Sequence, residues 1–146
     1  MKIMVINGPN LNMLGRRDKK FYGNKTLPQI ESLLKKEAKN LGVELTSFQS
    51  NSEGKIVDFI QKNSAQISGI IINPGAFTHY SLSIRDALED SKLPVIEVHL
   101  SNIHAREEWR AKSVIAPVAM GQISGFGWHG YIAALQILVG ELRIEK

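Results

Sequence analysis

Lys2-Ile3-Met4-Val5-Ile6, followed by Asn7-Gly8-Pro9-Asn10, sets the frame for the rest of the 146-residue chain. A short continuous apolar run after one charge has the pattern of a central strand covered on both faces. Gly8 and Pro9 then stop it, and Asn tolerates turn geometry on either side. Beyond Leu11-Asn12-Met13-Leu14 lies Gly15-Arg16-Arg17-Asp18-Lys19-Lys20-Phe21-Tyr22-Gly23, where four cations crowd one loop just ahead of Tyr22. Opposite charge beside a phenol favours its ionised form. A free phenol, with a pKa of about 10, is ionised only about once in a thousand at pH 7. The loop therefore has two readings: a solvated basic segment with Tyr22 as a packing anchor, or a base held ready by cations.

Outward from this strand, apolar runs and helical periodicities alternate. Thr26-Leu27-Pro28-Gln29 opens a helix, with Thr26 as cap, Gln29 closing a capping box and Pro28 in the first turn; Ile30, Leu33, Leu34, Ala38 and Leu41 follow at helical spacing, and Gly42 ends it. Val43 to Ser50 reads as a second strand. Ser52 caps a helix with Ile56, Val57 and Ile60 inward. Gly69 to Asn73 is a third strand, Thr78 to Asp90 a helix, and Pro94 to His99 a fourth strand. A short helix over Ala105 to Lys112, capped by Asn102, leads to a fifth strand over Val114 to Met120. Trp128 to Arg143 is the last helix. Strand and helix thus alternate five times, which argues a parallel sheet with helices on both faces. The expected fold is α/β, a flavodoxin-like three-layer sandwich whose five-stranded parallel sheet has the order 2-1-3-4-5.

Length gives one domain, expected over residues 1–146, with room for a real core. Apolar residues make up 43% and charged residues 22%, the proportions of an ordinary soluble protein. The absence of Cys excludes disulfides, thiolate chemistry and Cys-bound metal. No signal-peptide pattern and no run of membrane-spanning length is present, so a cytoplasmic location is expected. A net charge of +4 points to an anionic partner, whether a polyanion or a small carboxylate or phosphate. The cations are spread over helix faces as well as the first loop, which disfavours nucleic acid.

In sheets of this order, ligands bind beyond the carboxyl ends of the strands, where the order reverses. Asn7 to Asn10, Asn73 to His79 and His99 to Asn102 should therefore converge on one crevice. Around Asn73, the small residues Pro74-Gly75-Ala76 allow close approach to backbone, and His79 is either a ligand or simply a residue at a helix start. Glu97 and His99, two apart on one strand, share a face. A charged pair on an apolar strand needs pairing or a purpose, and a carboxylate that orients an imidazole makes an acid that titrates near neutrality. Metal binding is the rival use, but no second His stands at ligand spacing. Ser101 lacks a nucleophile elbow and reads as a polar contact. Arg106 and Arg110 would share a helix face, with one of them reaching the crevice to fork onto a ligand oxygen. Gly125-Phe126-Gly127-Trp128-His129-Gly130 matches G-x-G-x-x-G but lies in the last strand–helix unit, so it is read as packing for the final helix.

These pieces together resemble the type II 3-dehydroquinate dehydratases, along nearly the whole chain. The resemblance rests on Asn7-Gly8-Pro9-Asn10-Leu11-Asn12-Met13-Leu14-Gly15, Arg17, Tyr22-Gly23, Gln49-Ser50-Asn51, Asn73-Pro74-Gly75, Thr78-His79, Arg85-Asp86-Ala87, Glu97 to Asn102, Arg106-Glu107-Glu108 with Arg110, and Gly125-Phe126-Gly127 with Gly130-Tyr131. Lys19 departs from it, standing where that family usually has Pro. The resemblance implies cofactor-free and metal-free anti elimination of water from 3-dehydroquinate, giving 3-dehydroshikimate. Tyr22 would be the base, Arg17 would stabilise its anion and the transition state, and Asn10 would hold a water against the developing enolate. His99, oriented by Glu97, would protonate the leaving hydroxyl. Asn73, His79, Leu100, Ser101 and Arg110 would bind substrate, and Asp86 would reach a neighbouring subunit's site within a dodecamer of four trimers. A mobile loop over about residues 15–25 would cover the site. A flavin-binding or receiver-type domain shares such a sheet, although no acidic residue follows the first strand as a receiver requires. A basic nucleic-acid module is the other alternative class.

Overall fold

The computed structural model describes residues 1–144; Glu145 and Lys146, which the expected domain over 1–146 includes, lie outside the described residues. Five strands, β1 (Lys2–Asn7), β2 (Glu44–Gln49), β3 (Gly69–Asn73), β4 (Val95–His99) and β5 (Gly121–Ser124), form one parallel sheet in the order β2-β1-β3-β4-β5. Helices α1 (Lys19–Tyr22), α2 (Leu27–Leu41), α3 (Glu53–Asn63), α4 (Leu82–Ser91) and α5 (His129–Ile144) complete the regular structure, with short 3-10 turns between. This is the flavodoxin-like α/β fold.

The period-two alternation of strands divides the core into two layers. Ile3, Val5, Ile71, Ile96 and Val98 pack against α2 and α5, while Met4, Ile6, Ile70, Ile72 and Val95 pack against α3 and α4. β1 and β3 are buried on both faces, as their unbroken apolar runs require. Each fully buried aliphatic side chain in these layers contributes about 2 kcal/mol of burial free energy.

The helix ends follow their local chemistry. Thr26 accepts from the Gln29 N–H while the Gln29 side chain accepts from the Thr26 N–H, and Gly42 closes α2 in the left-handed region. Ser52 caps α3. Three expectations need correction. The helix after β3 does not start at Thr78: Gly75–His79 is a 3-10 turn, and Ser81 caps α4 by accepting from the Ile84 N–H. Ala105 to Lys112 is two 3-10 turns, Ile103–Ala105 and Glu108–Arg110, separated by Arg106 in extended backbone. The fifth strand is Gly121–Ser124, because the apolar run from Val114 to Val118 is spent on the face shared with α3 and α4. There Ser113 captures the N–H groups of Ile115 and Ala116, and Pro117 sits in the 3-10 turn Ala116–Val118.

The order reverses between β1 and β3, and the two strand ends are tied there. The Gly8 N–H donates to the Asn73 carbonyl at 2.8 Å. A Cβ on Gly8 would overlap the backbone carbonyl of Pro74, which cannot move aside as a flexible side chain would. Gly8→Ala is expected to lower stability by about 2–3 kcal/mol, read as a reduced midpoint in urea denaturation with an unchanged slope.

Candidate active site

Beyond the carboxyl ends of β1, β3 and β4 lies a cleft of about 140 Å³, the scale of a small metabolite. Asn10, Arg17, Tyr22, Asn73, His79, His99, Leu100, Ser101 and Arg110 all line it. The three strand-end groups read from sequence thus converge, while Asn7 lies just behind the wall.

Glu97 and His99 occupy the end of β4, on the face of the sheet that Val95 shares, with Glu97 fully buried and His99 5% exposed. His99 Nε2 and Glu97 Oε2 are 2.5 Å apart. Two hydroxyls complete the carboxylate: Thr78 donates to Oε2 at 2.5 Å, and Ser113 donates to Oε1 at 2.8 Å. Burial alone works to raise the Glu97 pKa, but the hydrogen bonds from His99, Thr78 and Ser113 and the charge of His99 outweigh it. The carboxyl therefore lies below its ordinary range. With Nε2 engaged by Glu97, Nδ1 is the ring nitrogen left for a ligand.

The first loop supplies the other wall. Arg17 lies over the Tyr22 ring, 3.7 Å from its centroid. Arg106 Nη1 donates to the Tyr22 hydroxyl at 2.8 Å and to Ser101 Oγ at 3.1 Å. Burial holds the Arg17 pKa below its ordinary value; Tyr22 opposes this, and the charges of Arg106 and Arg110 add to it. Three guanidinium groups thus border one small space, and Glu107 on the exposed rim is the carboxylate that pairs with Arg110, at 2.8 Å.

Asn10 sits in the left-handed region at φ 68°, a conformation Asn adopts more readily than most residues. Its N–H is held by Asn51 Oδ1 at 3.0 Å, and Gln49 Nε2 braces both Asn51 and the Gly8 carbonyl. Asn73 is held at both ends of its amide: Nδ2 donates to Tyr131 Oη at 3.0 Å, and Oδ1 accepts from the Gly75 N–H at 3.1 Å. Tyr131 in turn donates to Asn7 Oδ1 at 2.5 Å, and burial pushes its phenol well above the ordinary value, so it stays a donor. His79 Nδ1 donates to the Lys112 carbonyl at 2.8 Å. Burial lowers the His79 pKa, the Lys112 bond opposes that, and the charges of His99 and Arg110 reinforce it.

Asp86 is not among the residues brought together; it is exposed on α4 and lies outside this cleft. Arg106 is the residue missing from the set read out of the sequence. Its pairing with Arg110 on a helix was the available signal, but it reaches Tyr22 from extended backbone, 84 positions along the chain. Ser113 falls between the helix expected over Ala105 to Lys112 and the strand expected over Val114 to Met120, neither of which forms as expected. Of the glycines of the G-x-G-x-x-G match, Gly125 and Gly127 serve backbone conformation, with positive φ, whereas Gly130 lies buried in α5 against Val98 and Ile123, as the packing reading expects. Among the described residues, no three His, Asp or Glu side chains gather as a metal ion would need, and no helix is long and apolar enough to cross a membrane.

The sequence model described as Dehydroquinase class II matches residues 1–139. The chain belongs to the class II dehydroquinase family. A 3-dehydroquinate dehydratase of Roseiflexus castenholzii is 56% identical over 140 residues, spanning 96% of this chain and 89% of that relative. One from Clostridium perfringens is 56% identical over 144 residues, spanning 98% of this chain and 100% of that relative. The crystal structure of the type II dehydroquinase from Butyrivibrio crossotus superposes with a TM-score of 0.92 at 50% identity, covering 94% of this dehydroquinase chain and 97% of that one. A 3-dehydroquinate dehydratase-like protein from Bifidobacterium longum, at 32% identity, has a TM-score of 0.74 and covers 98% of each chain.

The depressed Glu97 carboxyl has a consequence for stability. Its folded pKa lies below the ordinary 4.5, so its stabilising contribution is present above that pH and is lost as pH falls through the folded value. Glu97→Gln is expected to cost about 2 kcal/mol at pH 7, with the gap from wild type closing in urea denaturation series below about pH 4.5.

Proposed function

We propose that this dehydroquinase is a 3-dehydroquinate dehydratase, a hydro-lyase that removes water from 3-dehydroquinate to give 3-dehydroshikimate without a cofactor. One observation carries the proposal: a phenol gripped by Arg17 and Arg106 and an imidazole backed by an ionised carboxylate line the same small cleft.

Elimination next to a ketone needs a base for the α proton, a home for the enolate charge and an acid for the departing hydroxyl. Tyr22, as phenolate, takes the α proton, and the electron pair moves onto the carbonyl oxygen. Arg17, over the Tyr22 ring, and Arg106, at its hydroxyl, stand beside the charge that moves in this step. Asn10, fixed in its turn by Asn51, holds a water against the enolate oxygen. The enolate then collapses, the carbon–oxygen bond breaks, and His99 Nδ1–H protonates the hydroxyl, which leaves as water. Glu97 steadies the imidazolium through Nε2. Asn73, His79, the Leu100–Ser101 segment and Arg110 offer donors suited to hydroxyls and a carboxylate.

The proposal extends to access and assembly. No residue of α1 is buried, the sparse packing of an element that lifts readily, so residues 15–25 would open for substrate and close Tyr22 over it. In a dodecamer of four trimers, the exposed Asp86 would meet the cleft of a neighbouring subunit.

Purified protein mixed with 3-dehydroquinate should produce the ultraviolet absorbance of a conjugated enone; no rise in absorbance rejects the proposal. Tyr22→Phe and His99→Ala should each fold normally and lose about 10²- to 10⁴-fold in kcat. Near-wild-type turnover in either would remove that residue from the chemistry.

A further inference from the structure

A buried carboxylate can be kept ionised in two ways, by charge or by donors that leave it nothing to donate to. Ser113 is arranged for the second. Its Oγ accepts from the Ile115 N–H at 3.1 Å and from the Ala116 N–H at 2.9 Å. A hydroxyl has two acceptor lone pairs and one proton, so with both lone pairs taken the proton is the only group left to use. Its neighbours on that side are Glu97, at 2.8 Å from Oε1 and 3.0 Å from Oε2, and Thr78 Oγ1 at 3.0 Å; the carboxylate is the nearer and the charged acceptor. Thr78, fully buried, presents a second proton to Oε2 at 2.5 Å, and its own carbonyl accepts from the Val114 N–H at 2.8 Å. Ser113, with no free lone pair, cannot accept a hydrogen from a protonated Glu97, which would be left with Thr78 Oγ1 and His99 Nε2 as its only acceptors among these partners.

We propose that Ser113 is a positioning residue for the acid half of the site: its backbone-locked hydroxyl holds Glu97 as an acceptor, so that the shared proton stays on His99 Nε2 and Nδ1 faces the substrate. The part assigned to His99 rests on the dehydratase reading above. The segment from Lys112 to Ala116 thereby tunes the site without entering it, and it also fixes His79 through the Lys112 carbonyl.

Few other groups could set the state of Glu97. The residues level with it on β3 and β5 are Ile72 and Gln122, which do not titrate. α3 and α4 meet this face of the sheet through Ile56, Ile60, Ile84 and Leu88. The charged and titratable groups nearby are His79 in the turn after β3, Arg17 and Tyr22 in the first loop, and Arg106 and Arg110 in the turns after β4. Among the titratable groups of the described residues, His99 alone hydrogen-bonds Glu97. The low-lying Glu97 carboxyl agrees with this arrangement.

The test is carboxyl carbon NMR of the Glu97 side chain across pH in the intact protein, with the signal assigned through Glu97→Gln. In Ser113→Ala the carboxyl should bind its proton about tenfold more tightly, titrating about one pH unit higher than in wild type. At neutral pH kcat should fall about tenfold with KM changed less than about twofold, and Ser113→Thr, which restores the hydroxyl, should reverse both. Thr78→Val should move the carboxyl titration in the same direction, giving a second reading if Ser113→Ala folds poorly. An unmoved titration in the folded variants overturns the proposal, as does a kcat loss that Ser113→Thr does not repair. Failure of the wild type to turn over 3-dehydroquinate would sink the dehydratase reading instead, and the carboxyl titration would still decide what Ser113 does to Glu97.

Discussion

A carboxylate sealed inside a sheet must be surrounded by donors, and at Glu97 that requirement shapes one end of the molecule. An unpaired charge at such depth costs several kcal/mol. Three elements meet to avoid that cost: β4 brings His99, the turn after β3 brings Thr78, and the segment before β5 brings Ser113. Packing and chemistry are the same contacts here. The segment that would otherwise extend β5 is turned aside to cover the carboxylate, leaving β5 only four residues long at the sheet edge.

The facing wall poses the opposite electrostatic problem. Arg17, Arg106 and Arg110 crowd a space of about 140 Å³ with little counter-charge, and Arg17 is held below its ordinary pKa first by burial and then by the charges of the other two. Such a cluster is relieved by an anion. In the proposed mechanism the charge of a Tyr22 base and the carboxylate of the substrate would both meet this surplus. The basic balance of the whole chain thus has a local focus, a pocket for a small anion rather than a track for a polymer.

Much of this was legible in the sequence, where side-chain pattern and backbone geometry agree. The apolar runs of β1 and β3, the Thr26–Gln29 capping box and the left-handed Gly42 all declare their structures locally, and the strand ends then locate the cleft. The errors fall where a distant partner overrides local preference. Val114 to Val118 has strand-like composition, but Ser113 takes two of its N–H groups and Pro117 stands among them. Arg106 and Arg110 are spaced for one helix face, yet Arg106 lies in extended backbone because its partners are Tyr22, Phe21 and Ser101. Nothing near Arg106 in the chain announces a phenol 84 residues away. The role proposed for the exposed Asp86 illustrates the other limit, since a role completed by another subunit would leave no trace in the contacts of one chain.

In the proposed mechanism Tyr22 and His99 act on one substrate from different walls of the cleft, the base on one side and the acid on the other. The most direct measurement uses 3-dehydroquinate carrying deuterium at a single, known face of the carbon that loses its proton, with the product analysed by mass spectrometry. Loss of the deuterium that lies anti to the departing hydroxyl, and retention of the one that lies syn, is the predicted result. Loss of the syn label would place base and acid on the same side and contradict the arrangement described.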